Sequence, residues 1–112
     1  MSLISTRVSE SEKLRWQVGA HKVLGAILDI CRDRGLPVIP WEVSEFAVVG
    51  KVQNTSHEQR RGVFEAWVEA LGLDRWPESP HSAGWVHLHA FTENWERRRV
   101  NVAVLADIDT EE

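Results

Sequence analysis

The chain has 112 residues, 17 of them acidic and 13 basic, and its formal net charge of −4 disfavours a general nucleic-acid-binding protein. A chain of this length is expected to form a single domain, residues 1–112, with a hydrophobic core that needs no disulfide or metal. Because the single Cys31 cannot form an intramolecular disulfide, and no apolar run has the length of a signal peptide or a membrane span, the sequence predicts a cytoplasmic protein that does not enter a membrane.

The first predicted helix is long and carries apolar residues on two sides. Residues 1–8 are expected to be a flexible N-terminus, and the helix to run from Ser9, which has the spacing of a capping box with Glu12, to Gly35. A helix on a sheet needs one apolar stripe, so two stripes predict contacts on two sides, with the second helix or with another copy of the chain. The first stripe is Leu14, Val18, His21, Leu24, Leu28 and Cys31, and the second stripe is Trp16, Ala20, Val23, Ile27 and Ile30.

The middle of the chain predicts a hairpin, a second helix and a long loop. The first strand lies within residues 36–43, where two prolines either place it at a sheet edge or delay its start to Trp41. The second strand lies within residues 46–53. A helix with an N-cap at Thr55 or Ser56 is expected to end at Leu71, before Gly72. Residues 74–84 are rich in proline, serine and glycine, which predicts an irregular loop.

The last two strands, within residues 85–93 and 100–107, form a second hairpin at the centre of the fold. Residues 109–112 are expected to be an acidic tail. The order α-β-β-α-β-β predicts an α+β fold, in which a four-stranded antiparallel sheet carries two helices on one face. In either register of the second hairpin, the other face is too apolar to be left in water, so a partner or a returning loop is expected over it.

Several segments together resemble a set of small actinobacterial proteins of uncharacterised function. The resemblance covers most of the chain and consists of structural motifs, so it supports the fold and implies no activity. The segments are residues 36–43, 49–52, 60–67, 71–72, 83–90 and 102–108.

The leading functional hypothesis is a non-catalytic protein-interaction or regulatory module that forms a homodimer or docks onto another protein. The sequence holds no P-loop, dinucleotide fingerprint, nucleophile elbow or H-E-x-x-H motif, so neither an enzyme nor a cofactor is expected. The partner surface is expected on two groups of residues. The first group is Trp16, Ala20, Val23, Ile27 and Ile30, and the second is Trp85, His87, His89 and Phe91.

A nucleic-acid-binding protein is one alternative. Arg97, Arg98 and Arg99 at the tip of the second hairpin could contact phosphates, together with Arg60 and Arg61 at the start of the second helix. The competing interpretation is a solvated turn whose charge nearby glutamates neutralise.

A metal or small-ligand site is the other alternative. His87 and His89 lie on the same side of one strand, and His81 and Asp107 are conceivable further ligands. Only two of these have a fixed mutual position, whereas zinc and iron need three or four, so the sequence favours histidines that pack against Trp85 and Phe91.

Overall fold

The computed structural model describes residues 9–53, 55–80 and 84–109. The predicted flexible N-terminus and residues 110–112 of the predicted acidic tail lie outside this range, while Asp109 belongs to the last strand. The elements are helix α1 (Glu10–Arg34), strands β1 (Trp41–Val43) and β2 (Ala47–Val52), helix α2 (His57–Leu71), and strands β3 (Asp74–Arg75), β4 (Ser79–Pro80), β5 (Trp85–Thr92) and β6 (Asn101–Asp109).

Both helices end at the predicted glycines, and α1 starts with the predicted capping box, whereas Ser56 lies at the N-cap of α2 without a side-chain hydrogen bond. The Ser9 hydroxyl accepts a hydrogen bond from the Glu12 backbone N–H at 3.1 Å, and the Glu12 carboxylate accepts one from the Ser9 N–H at 3.3 Å, which completes the capping box. Gly35 and Gly72 end the helices in the left-handed conformation, with φ of 66° and 67°. Within the described residues, neither helix has an apolar run long enough to cross a membrane.

The predicted α+β class with two helices is confirmed. The predicted four-stranded antiparallel sheet is wrong, because the sheet has more strands and mixes parallel with antiparallel pairs. Its strand order is β1-β2-β6-β5-β3, with β4 also paired to β5. The two hairpins join through β2 and β6, which run parallel and place Val48 beside Val102. Segments of the predicted irregular loop add β3 and β4 to β5. The long hairpin is therefore extended at both sides, with β6 near the centre.

Both helices pack on one face of this sheet. Ile27 from α1 and Trp67 from α2 are completely buried in the same cluster as Val48, Val102 and Val104. Because side chains alternate along a strand, the neighbouring residues of these strands face the opposite side, away from α1 and α2. The indole N–H of Trp67 donates a 2.8 Å hydrogen bond to the Pro37 carbonyl, so the segment before β1 is tied to α2.

A glycine on the covered face makes room for an aromatic ring. Gly50 on β2 lies directly opposite Trp41 on β1. A Cβ atom at Gly50 would lie 2.8 Å from both the Trp41 ring and the Ile39 side chain. The absence of a side chain at residue 50 therefore allows Trp41 to pack flat enough to meet Trp67 edge-on, at 5.3 Å between ring centroids.

Candidate interaction surfaces

The second stripe of α1 faces the protein's own core. Ala20, Val23 and Ile27 are at most 1% exposed, while Trp16 and Ile30 are half-buried at the margins of the contact with β1 and β2. Three of the five helix residues predicted as a partner surface are therefore occupied within one chain. The physical reason is that the short first hairpin lies under this side of the helix.

The first stripe is the more open of the two, although Leu24 and Cys31 are partly buried against the core. Leu14 is 60% exposed, Val18 44% and Leu28 47%, and Leu24 is half-buried at the edge. His21 is exposed between them and contributes to a shallow hollow of about 450 Å³ with Leu14 and Val18. Large apolar side chains in one row on a protein surface are typical of interaction sites.

Ion pairs flank the first stripe at both ends. Near the start of α1, Lys13 lies 3.4 Å from Glu10, and near its end Arg32 lies 3.0 Å from Asp29. Both pairs are exposed, so each contributes little to the stability of one chain. Their charges remain accessible to a partner.

The uncovered face of the sheet carries the second predicted partner group. His87, His89 and Phe91 alternate with the core residues of β5 and share this face. Trp85, at the start of β5, also meets the ring of His57 at the start of α2, with 4.9 Å between ring centroids. Trp76, from the segment after β3, stacks on His89 with 4.9 Å between ring centroids and 17° between planes. This loop residue therefore covers part of the face.

The two histidines of β5 have different environments. His87 Nδ1 lies 2.7 Å from Asp107 Oδ1 on the adjacent strand β6. Burial, and to a smaller extent the charge of His87, lowers the pKa of His89. The rings are 6.0 Å apart, and among the described residues no three His, Cys, Asp or Glu side chains come together as a metal site. His81, the remaining predicted ligand, lies outside the described residues.

Two of the predicted nucleic-acid contacts bind the protein itself. The Arg60 guanidinium donates hydrogen bonds to the carbonyls of Gln53, Thr55 and Asp107. Arg61 forms an ion pair with Glu78 at 3.1 Å. These two arginines therefore fix the start of α2 and do not form one surface with the hairpin tip.

The tip of the second hairpin is anchored by a buried tryptophan and by side-chain hydrogen bonds. Trp95 is 5% exposed, and its indole N–H donates a 2.9 Å hydrogen bond to the Leu71 carbonyl at the end of α2. The Asn94 side chain accepts a 2.6 Å hydrogen bond from the Arg99 backbone N–H. Non-glycine residues in the left-handed conformation are uncommon and cluster at functional sites. Here there are four, Asn94, Glu96, Arg97 and Arg99, with φ between 50° and 61°.

The tip faces the first half of α1 across a cleft of about 420 Å³. We call this space the tip cleft. Of the three predicted tip arginines, Arg98 and Arg99 line it and Arg97 does not. Arg15 and Phe46 were missed as candidate site residues, because their contribution depends on how the hairpin tip meets α1; the adjacent Arg15-Trp16 pair was the available signal. The aromatic and basic residues of the tip cleft are Arg15, Trp16, Phe46, Arg98 and Arg99.

No protein-family model, curated protein or solved structure matches the chain. The resemblance to small actinobacterial proteins therefore stays a prediction.

Proposed function

We propose that the protein is a non-catalytic interaction module that forms a homodimer through the first stripe of α1. The observation that carries this proposal is the exposure of Leu14, Val18 and Leu28 on a helix whose other apolar side is already buried. Removing such side chains from water contributes about 25 cal/mol per Å² of apolar area. A second α1 offers the same row of side chains and is long enough to cover it.

The charges around the stripe favour an antiparallel second copy. Leu14 and Leu28 each lie seven residues from His21, and Glu10 and Arg32 each lie eleven residues from it. In an antiparallel pair centred on His21, Leu14 of each chain lies level with Leu28 of the other, and Glu10 with Arg32. A parallel pair would bring like charges together at both ends.

The proposal includes a cytoplasmic location and a role without catalysis. Both are supported by the sequence, which has no apolar run of signal-peptide length and none of the catalytic motifs considered above. A metal or ligand role for the His87 and His89 face has less support. His87 is hydrogen-bonded to Asp107, and Trp76 stacks over His89.

The test is the solution mass by light scattering over a range of protein concentrations. The wild-type chain should approach twice the mass of one chain, while Leu28→Asp should stay at the mass of one chain and remain folded, with a melting temperature only slightly below that of the wild-type monomer. Val38→Asp is the matched control, since Val38 is 87% exposed and lies outside α1. A wild-type protein that remains monomeric at the highest soluble concentration contradicts the proposal.

The antiparallel arrangement has its own test. Arg32→Glu should weaken the dimer by placing two acidic groups level with each other. Combining it with Glu10→Arg should restore association, because the exchanged charges again face each other. Failure of the double variant to recover would exclude the antiparallel arrangement while leaving the first stripe as the interface.

A further inference from the structure

The tip cleft combines features that the proposed homodimer does not use. We propose that it binds a nucleoside phosphate, either free or as part of a single-stranded nucleic acid. The base would stack on the Trp16 and Phe46 rings, and the phosphate would lie between Arg98 and Arg99. The cleft lies within one chain, so this inference does not rest on dimer formation.

The aromatic pair provides the stacking surface. The ring centroids of Trp16 and Phe46 are 4.6 Å apart, and Phe46 is 47% exposed although it precedes a strand of the core sheet. Trp16 belongs to α1 and is half-buried, so the aromatic pair is attached to this helix. Stacking of a base on an aromatic side chain favours binding and tolerates any base, because every base has a π-face.

The arginines provide the anion site. Arg15, Arg98 and Arg99 form no ion pair with another described residue, whereas Arg32, Arg61 and Arg75 each pair with a carboxylate. An arginine guanidinium can donate two parallel hydrogen bonds to one phosphate. Three of them around one cleft make a local positive region on a chain whose net charge is negative.

The backbone of the tip supports a preorganised site. Arg99 has a φ of 60°, and its N–H is fixed by the Asn94 side chain. Trp95 anchors the same turn to the end of α2. Strained backbone conformations cluster at ligand-binding sites, because they fix side chains in the orientation that binding requires. The strained backbone of this basic tip is consistent with such a site.

Glu45 also lines the tip cleft, and it limits the ligand. A carboxylate beside the arginines repels the high charge of a polyphosphate, and it can accept hydrogen bonds from ribose hydroxyls or from a base amino group. A volume of about 420 Å³ lies in the range of small-molecule pockets. These features favour a monophosphate unit over a triphosphate.

The experiment is calorimetric titration of the full chain with adenosine monophosphate, with inorganic phosphate and with a single-stranded oligoadenylate of about eight nucleotides. We expect the monophosphate to bind more tightly than inorganic phosphate. An oligoadenylate that binds more tightly still, with an affinity that falls as salt rises, identifies a single strand as the source. Equal affinity per nucleotide identifies a free nucleotide. No binding of either adenosine probe overturns the proposal.

Two variants separate the parts of the site. Arg98→Gln should weaken every phosphate-containing probe about tenfold or more. Phe46→Ala should weaken both adenosine probes by a similar factor and leave inorganic phosphate unchanged. Arg34→Gln is the matched control, because it makes the same charge change at the far end of α1. An equal loss in Arg34→Gln and Arg98→Gln, or a Phe46→Ala chain that binds like wild type, would show non-specific attraction and overturn the site.

Discussion

The two apolar sides of α1 are both mainly hydrophobic, but they differ in burial. Ile27 and Leu28 are neighbours in the chain, yet Ile27 is completely buried and Leu28 is 47% exposed. The difference arises from the position of β1 and β2, which cover one side of the helix. Hydrophobicity alone therefore does not identify the core side of a helix that has two apolar stripes.

The largest expected effect comes from introducing the same charge on the two sides. Ile27→Asp would bury an unpaired carboxylate, which costs more than about 4 kcal/mol and should unfold a domain of this size. Leu28→Asp should cost one chain only about 1 kcal/mol, from lower helix propensity and partial loss of packing, while removing the dimer. Circular dichroism and urea unfolding of both variants measure the contrast. A folded Ile27→Asp monomer would place the interface, and not the core, on the second stripe.

The sequence predicted the two stripes and the bounds of α1 because caps and helical periodicity are local. The Ser9 and Glu12 pair and the terminal Gly35 can be recognised from spacing alone. The choice between stripes depends on strands that follow later in the chain. For that reason the predicted partner surface contained Ala20, Val23 and Ile27, which the core occupies.

The same limit applies to the sheet and to the tip cleft. Both hairpins follow from local patterns, but the parallel pairing of Val48 with Val102 joins segments more than fifty residues apart. The tip cleft likewise joins Arg15 and Phe46 to Arg98. Nothing in the local sequence around Phe46 indicates that the hairpin tip lies beside it.

The next largest effect is expected from Gly50→Ala, on the helix-covered face of the sheet. Gly50→Ala places a methyl group where Trp41 and Ile39 already lie, so it should cost about 1–3 kcal/mol. Trp41→Leu in the same chain makes space and should reduce the additional cost of Gly50→Ala. Urea unfolding of the two single variants and the double variant gives the coupling energy. Additive costs would show that residue 50 and Trp41 do not share this space.

Gly25→Ala tests the open side of α1 and should have a smaller effect, which raises the stability of the monomer and lowers the affinity of the dimer. Gly25 lies four residues after His21, on the side of α1 that carries the first stripe, and among the described residues no atom beyond the adjacent helix backbone would lie within 4 Å of a Cβ added there. Gly25→Ala should stabilise the monomer by up to about 1 kcal/mol through helix propensity. It should also weaken the dimer, because a closely packed second helix would meet the new methyl group.

Gly62→Ala on α2 is the matched control, since Gly62 is likewise free of neighbours within 4 Å in the described structure. It should raise the melting temperature of the monomer similarly and leave the dimer unchanged. Melting curves of dilute protein and light scattering at higher concentration measure the two effects. Equal dimer affinity in both variants would indicate that the second helix does not approach Gly25.

The smallest expected effect concerns the two faces of the sheet. No polar or charged described residue is buried on the helix-covered side, whereas the uncovered face holds His89 beside His87, Trp76 and the Asp107 that binds His87. Burial, followed by the charge of His87, lowers the pKa of His89, so the unfolded chain binds this proton more readily than the folded chain. Protonation of His89 therefore leaves the free energy of unfolding unchanged above the unfolded pKa of about 6.5 and lowers it as the pH falls below that value.

His89→Gln should lose less stability than the wild type between about pH 8 and pH 5.5 in urea unfolding. Parallel pH profiles would show that His89 titrates alike in both states and that Trp76 does not shield this face from water.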